Sequence, residues 1–254
     1  IAGDASPLVT GDIWYSSTTK KIRGAKIGAG AWTTATVMNT GKAGGSSAGP
    51  QTAALAYGGD NVNVESYDGS SWTEIANVNA VRTHGLGCGL QTAALYAGGT
   101  ATVASSEEFN GTSWTEGNDL NTGRGQGGGD GVQTDALWAG GAPGVKTASE
   151  SYNGTSWSNE TDLNAGRRYL EGAGAASTAG LGFGGNTSNP GSSYSAACES
   201  YDGSSWTEVG DLNSARFGGG SSGTQTLALL ASGHESGNGS TPKVEEWNGS
   251  SWSE

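Results

Sequence analysis

The chain is short of several things that would each mark a class of protein. It has only 2 cysteines, Cys88 and Cys198, in 254 residues, so no disulfide framework can be read from it. Both are expected to be small buried residues. Its 2 histidines, His84 and His234, are far apart in the chain and make no metal site. HExxH, GxSxG and P-loop patterns are missing, and no cofactor is expected. Basic residues number 12 against 24 acidic ones, a net charge of −12. That balance counts against nucleic acid, whose phosphates call for basic stripes, and against anionic membrane surfaces. No apolar run is long enough to cross a bilayer, so no membrane insertion is expected. No stretch holds an apolar period of about 3.6 residues, the mark of an amphipathic helix.

Glycine is abundant, at 47 residues, and there are 9 tryptophans. The glycines recur at set places and the tryptophans imply a packed core, so the composition does not read as disorder. A tryptophan stands ten residues before a basic residue in Trp32/Lys42, Trp72/Arg82, Trp114/Arg124, Trp157/Arg167 and Trp206/Arg216, and Trp252 follows near the end. A period of this size means tandem repetition of one structural unit.

Each unit divides into four short strands. A glycine-rich stretch follows the basic residue, as in GGSSAG and GQGGGDG. Then comes QTAALAYGG, QTAALYAGG, QTDALWAGG or QTLALLASG, with a divergent STAGLGFGG at 177–185. The third strand ends in Glu65/Tyr67, Glu107/Phe109, Glu150/Tyr152, Glu199/Tyr201 or Glu245/Trp247. A DGSS or NGTS turn, whose Asp-Gly or Asn-Gly pair tolerates positive φ, leads into the tryptophan that opens the fourth strand. Glycine in the first strand suits an innermost position, where strands crowd toward an axis.

Four antiparallel strands per 40–50 residues describe a propeller blade. The double glycine, the third-strand aromatic and the following tryptophan resemble the kelch repeat over residues 33–254. The resemblance implies an all-β fold, a β-propeller forming a single domain over 1–254. Residues 42–254 hold five regular repeats. Residues 1–41 make either a divergent first blade, for six in all, or an N-terminal β appendage to five. In that segment 12–17 and 20–27 read as a hairpin, 6–10 as an inner strand, and Ile27 precedes Trp32 by the five residues that separate Tyr67 from Trp72. The QTAAL…GG wording is also similar to kelch-like repeats of bacteriophage and marine viral structural proteins. That likeness implies a tail-fibre-like protein at a virion surface or extracellular. Its partners would be a cell-surface glycan or protein receptor, other virion proteins, or further copies of itself.

Length varies in one place. From the end of strand two to the third-strand aromatic the separations are 9, 11, 12, 17 and 15, while the other intervals are nearly constant. This variable connection shares a face with the segments entering each blade, and recognition concentrates in loops that vary. Candidate ligand-binding residues there are Asn61, Asn63, Thr102, Lys146, Asn189, Tyr194, His234, Glu235 and Asn238. Among non-repeated aromatics, Trp14, Trp138, Tyr169 and Tyr194 are the ligand candidates, with Trp138 placed by its strand in the core. Lys42, Arg82, Arg124, Arg167 and Arg216 could ring the mouth of a central channel and bind an anion. Pairing with the one glutamate per unit is the structural reading of the same residues.

The expected function is therefore non-enzymatic binding or structure. One alternative is an intracellular kelch-type protein-interaction module. Another is a glycan-active enzyme, sialidase-like or galactose-oxidase-like. SYDGSSW is superficially similar to a sialidase Asp-box but has aspartate and glycine adjacent. No set of tyrosines, histidines and cysteine matches the galactose oxidase copper site.

Overall fold

The computed structural model describes residues 13–16, 21–24, 34–100, 102–189 and 193–254. The chain divides into two compact units, Ile1–Thr36 and Val37–Glu254. Within the first, β1 (Ile13–Ser16) and β2 (Lys21–Gly24) form an antiparallel ribbon in register Ile13↔Gly24 to Ser16↔Lys21. This is the hairpin expected at 12–17 and 20–27. The inner strand expected at 6–10, the Ile27/Trp32 spacing and the side chain of Trp14 lie outside the described residues.

The second unit is a succession of five four-stranded antiparallel sheets, each one repeat of the sequence. Blade A comprises β3 (Ser46–Ala48), β4 (Ala54–Tyr57), β5 (Val64–Tyr67) and β6 (Trp72–Ile75). Blade B has β7 (Leu86–Leu90), β8 (Ala93–Ala97), β9 (Ser106–Phe109) and β10 (Trp114–Glu116). Blade C has β11 (Gly128–Val132), β12 (Asp135–Ala139), β13 (Ser149–Tyr152) and β14 (Trp157–Glu160). Blade D has β15 (Glu171–Ala176), β16 (Ala179–Phe183), β17 (Cys198–Tyr201) and β18 (Trp206–Val209). After β19 (Arg216–Phe217), blade E uses β20 (Gly220–Gly223), β21 (Ala228–Ala231), β24 (Val244–Trp247) and β25 (Trp252–Ser253). The short strands β22 (His234–Glu235) and β23 (Gly239–Ser240) sit in the loop between β21 and β24.

First strands β3, β7, β11, β15 and β20 pack against one another in that order. They line a cavity of about 710 Å³ that is rich in glycine. The core lies between blades. Tyr57 of blade A meets Tyr96 of blade B edge-on at 5.4 Å and Trp114 at 4.9 Å, and its hydroxyl donates to Leu95 O at 3.0 Å. Phe183 of blade D packs on Trp252 of blade E at 4.8 Å. The repeated aromatics are thus blade-to-blade packing, and Cys88 and Cys198 are buried free thiols in blades B and D. On the face of the DGSS turns, the QT glutamine of blades B, C and E stitches its blade to the one before it. Gln91, Gln133 and Gln225 donate to the carbonyls of Tyr67, Phe109 and Tyr201 at 2.6, 2.7 and 2.6 Å.

The double glycine has a steric cause. Its first member adopts positive φ in blades A to D: 64° at Gly58, 61° at Gly98, 69° at Gly140 and 65° at Gly184. A Cβ on Gly98 would sit 2.4 Å from the Trp138 ring of the next blade and from Arg124 O. In blade E the position is Ser232, also at positive φ (64°) but exposed. Gly98→Ala is therefore expected to lower stability by about 2–3 kcal/mol, combining backbone strain with overpacking. Ser232→Gly should instead raise it by up to about 1 kcal/mol. Chemical denaturation of both variants checks the contrast, and equal effects would sink the steric account.

Candidate functional site

The segment entering each blade is a strap of sequence Asn-x-x-Arg or Asn-x-x-Lys. In blade D, Asn164 gives its backbone N–H to Glu199 Oε2 at 2.8 Å, and its side-chain amide reaches the outermost strand at Trp206 O, 3.1 Å away. Arg167 then meets the other oxygen of the same carboxylate at 2.6 Å. Blade C repeats this with Asn121, Arg124 and Glu150, and blade B with Asn79, Arg82 and Glu107. In blade E the partners are Asn213, Arg216 and Glu245, the ion pair spanning 2.9 Å. Blade A has lysine. Glu65 still accepts from the N–H groups of Asn39 and Thr40, at 2.7 and 2.8 Å, while Lys42 turns to Asn61 Oδ1 at 2.9 Å and to Asn63 O. A lysine is a point donor without the planar fork of arginine, which explains the different partners.

A basic ring at the channel mouth is thereby corrected. Arg82, Arg124, Arg167 and Arg216 are 0–2% exposed inside their blades, and neither they nor Lys42 line the cavity. The charges are spent on holding strap to sheet.

Two residues beyond each basic residue, the strap bends sharply. Gly44, His84, Gln126, Tyr169 and Gly218 all take positive φ, between 52° and 66°. Their backbones form a belt from blade to blade. His84 N donates to Gly44 O and Gln126 N to His84 O, each at 2.8 Å, and Tyr169 N to Gln126 O and Gly218 N to Tyr169 O continue it. Immediately after the belt the chain enters the strands that line the cavity, so the belt lies at one end of the channel. Where the belt residue is not glycine, a side chain projects there. Non-glycine residues in this region are strained and cluster at functional sites.

The belt side chains meet others from the variable loops. The His84 ring of blade B lies edge-on to Tyr169 of blade D, at 5.6 Å, although blade C stands between them. Tyr169 packs on Phe217 at 5.5 Å, Phe217 on Tyr194 at 4.9 Å, and His234 stacks on Phe217 at 5.5 Å and 21°. The two longest variable loops make this convergence. In blade D, Arg168 pairs with Asn186 and Asn186 with Tyr194 across a three-stranded patch. In blade E, β19, β22 and β23 do the same, aligning Phe217, His234 and Ser240. Opposed residues in such pairs share a face. Partial burial lowers the pKa of His84, which favours the neutral ring.

The expected candidates divide. Tyr194 and His234 come together, and Tyr169 joins them. Asn61 Oδ1 accepts from Lys42 in blade A, whereas Asn63 gives Lys42 its backbone carbonyl and its side-chain amide donates to Thr40 Oγ1 and Glu74 Oε1. Glu235 is paired with Lys243 at 3.0 Å, and Asn238 leans on Glu235 at 3.4 Å. Thr102 and Asn189 are exposed, and Lys146 is half-buried where its backbone braces Arg167. None of these loop residues is in the aromatic cluster. His84, Gln126, Arg168 and Phe217 were not anticipated. A readable signal existed: at a fixed offset from the basic residue the chain changes from Gly to His, Gln, Tyr and Gly.

The channel wall carries two acids. Burial raises Asp130 to about 6, against backbone N–H groups of Gly131 and Gly174 that pull it down. Burial raises Glu171 to about 8, opposed by the Ser221 hydroxyl and Gly219 N–H. Among the described residues no group of three or more His, Cys, Asp or Glu is placed to hold a metal ion. Among them, too, no helix is long and apolar enough to cross a membrane.

No protein-family model matches the chain, and no curated protein matches it. Among solved structures, that of YjhT superposes with a TM-score of 0.66 over 81% of each chain, at 13% sequence identity. Likeness at that identity speaks to fold alone. Together with the sheet topology it makes this chain a β-propeller of four-stranded antiparallel blades.

Proposed function

We propose that the protein is a non-enzymatic binding propeller that presents its variable-loop face to a surface glycan. The supporting observation is the aromatic cluster. Rings from blades B, D and E gather at one end of the channel, on the face where the loops differ most. Large flat side chains that keep part of their surface exposed, as Tyr169, Tyr194 and Phe217 do, are suited to stacking on sugar rings. The setting, a virion or other extracellular surface with oligomeric display, rests on the resemblance of the repeats to viral structural proteins. Display in several copies would offset weak individual sites.

Tyr169→Gly tests this at a position whose backbone conformation accepts glycine, as Gly44 and Gly218 show at the same place in the belt. The variant is expected to remain folded, the relief of positive φ offsetting part of the lost ring contacts, and to lose about tenfold in glycan-array affinity. Binding that survives Tyr169→Gly and trimming of the 186–195 and 234–243 loops would place the site elsewhere.

A further inference from the structure

Within Val37–Glu254, Arg168 is the arginine that the straps do not use. The four strap arginines each have a buried glutamate; Arg168 follows Arg167 directly and has no carboxylate partner among the described residues. Its guanidinium lies 5.6 Å from the centre of the Tyr169 ring. Its Nε is buried and makes no hydrogen bond to the protein. The register Arg168–Asn186–Tyr194 sets it on the same side of the loop patch as Tyr194. One belt position earlier, Gln126 buries a side-chain carbonyl oxygen, Oε1, that accepts no protein hydrogen bond. A buried acceptor on one belt residue, and a donor fork with ring faces beside the next, therefore stand at adjacent belt positions joined by the Tyr169 N to Gln126 O hydrogen bond.

We propose that this cluster is a binding site for a pyranose carrying a carboxylate or sulfate, with Arg168 reading the anionic group. The inference rests on the glycan reading above and adds the class of sugar. Each part has a chemical task. Tyr169 and its neighbouring rings stack on the apolar face of the sugar. Gln126 Oε1 accepts from a hydroxyl, which relieves an otherwise costly buried acceptor. The guanidinium fork pairs with two oxygens of the acid group. In a chain of net charge −12, an arginine without a carboxylate partner gives an anion a reason to settle here rather than elsewhere on the surface. An acidic peptide fits less well. The belt's N–H and C=O groups are engaged with one another from Gly44 to Gly218, so they offer an extended peptide no backbone edge to pair with.

The test uses the full chain and matched sugars differing only in the acid group. Suitable pairs are methyl glucuronide with methyl glucoside, methyl galacturonide with methyl galactoside, and 6-sulfated with unsulfated N-acetylglucosamine. By calorimetry or NMR titration, the anionic member of at least one pair should bind about tenfold more tightly, as a charge-assisted fork predicts. Arg168→Met should erase that preference, bringing the anionic sugar's affinity down to that of its neutral partner, while Arg168→Lys keeps part of it. A melting curve confirms that both variants fold. Tyr169→Gly should weaken both members of the pair. Equal affinity for all pairs in the native chain, or a preference that survives Arg168→Met, overturns the assignment and leaves glycan binding standing. Binding to a glutamate-rich peptide that depends on Arg168, with no sugar preference, overturns it in favour of a protein ligand. No binding to any of these sugars, with a blank glycan array, removes the glycan reading itself.

Discussion

Arg124→Met is expected to cost about 3–5 kcal/mol of folding stability, seen as a fall in Tm of roughly 6–20 °C. The residue is fully buried and so is its partner Glu150, each at 0% exposure. Methionine fills much of the space but leaves a carboxylate in the blade with only strap N–H groups of Asn121 and Thr122 to solvate it. Arg124→Met combined with Glu150→Gln should recover part of the loss, because no uncompensated charge then remains. The pair's own worth is smaller than the single substitution suggests, since a well-packed apolar replacement of both partners is often neutral. A cycle of the two singles and the double, followed by chemical denaturation, measures the coupling. Additive effects would mean that the arginine acts by packing alone.

Trp138→Ala should be comparably severe, at about 3–5 kcal/mol, for a different reason. Trp138 is the largest fully buried side chain, in the cluster shared by Leu86, Leu95, Tyr152 and Trp157. Its ring fills the space that the positive-φ backbone at Gly98 leaves open. The indole nitrogen makes no hydrogen bond, so the loss is one of contact and cavity. Trp138→Phe is then expected to recover most of the stability, leaving a deficit of about 1 kcal/mol. If the phenylalanine variant were as unstable as the alanine one, the fit of the indole against Gly98 would matter more than the apolar area it buries.

The architecture was legible because each interval reports a contact. Ten residues from Trp157 to Arg167 span the outermost strand and the strap into the next blade, and five from Tyr152 to Trp157 span a turn closed by Asn153. In that turn Asn153 Oδ1 accepts from the N–H groups of Thr155 and Ser156 at 2.9 Å, as Asp68 Oδ1 does from Ser70 and Ser71 at 2.8 Å. Aspartate and asparagine interchange there because one oxygen suffices. The constant glycines and the QT glutamines likewise have packing or stitching roles that their fixed places announced.

The site was only half legible. Loop length pointed to the face where the rings gather, and Tyr194 and His234 both pack on Phe217, because blades D and E hold the longest loops. Asn61 and Asn63 looked equally available, yet in blade A Lys42 engages Asn61 Oδ1 and the Asn63 amide is engaged by Thr40 and Glu74. Phe217, Arg168 and His84 escaped notice since they lie next to the constant basic residue, in a stretch that reads as scaffold. A linear pattern orders the blades; it does not say that side chains from the second and the fourth will touch across the third.

The straps also impose a direction on synthesis. Each arginine leaves the ribosome before its acid, by 25 residues for Arg82 and Glu107 and by 32 for Arg167 and Glu199. A nascent blade therefore begins with its cation waiting in solvent and closes when the third strand delivers the carboxylate. A chain ended just before that strand carries an arginine with nowhere to dock. One ended just after it has a neutral interior that needs only its outer strand.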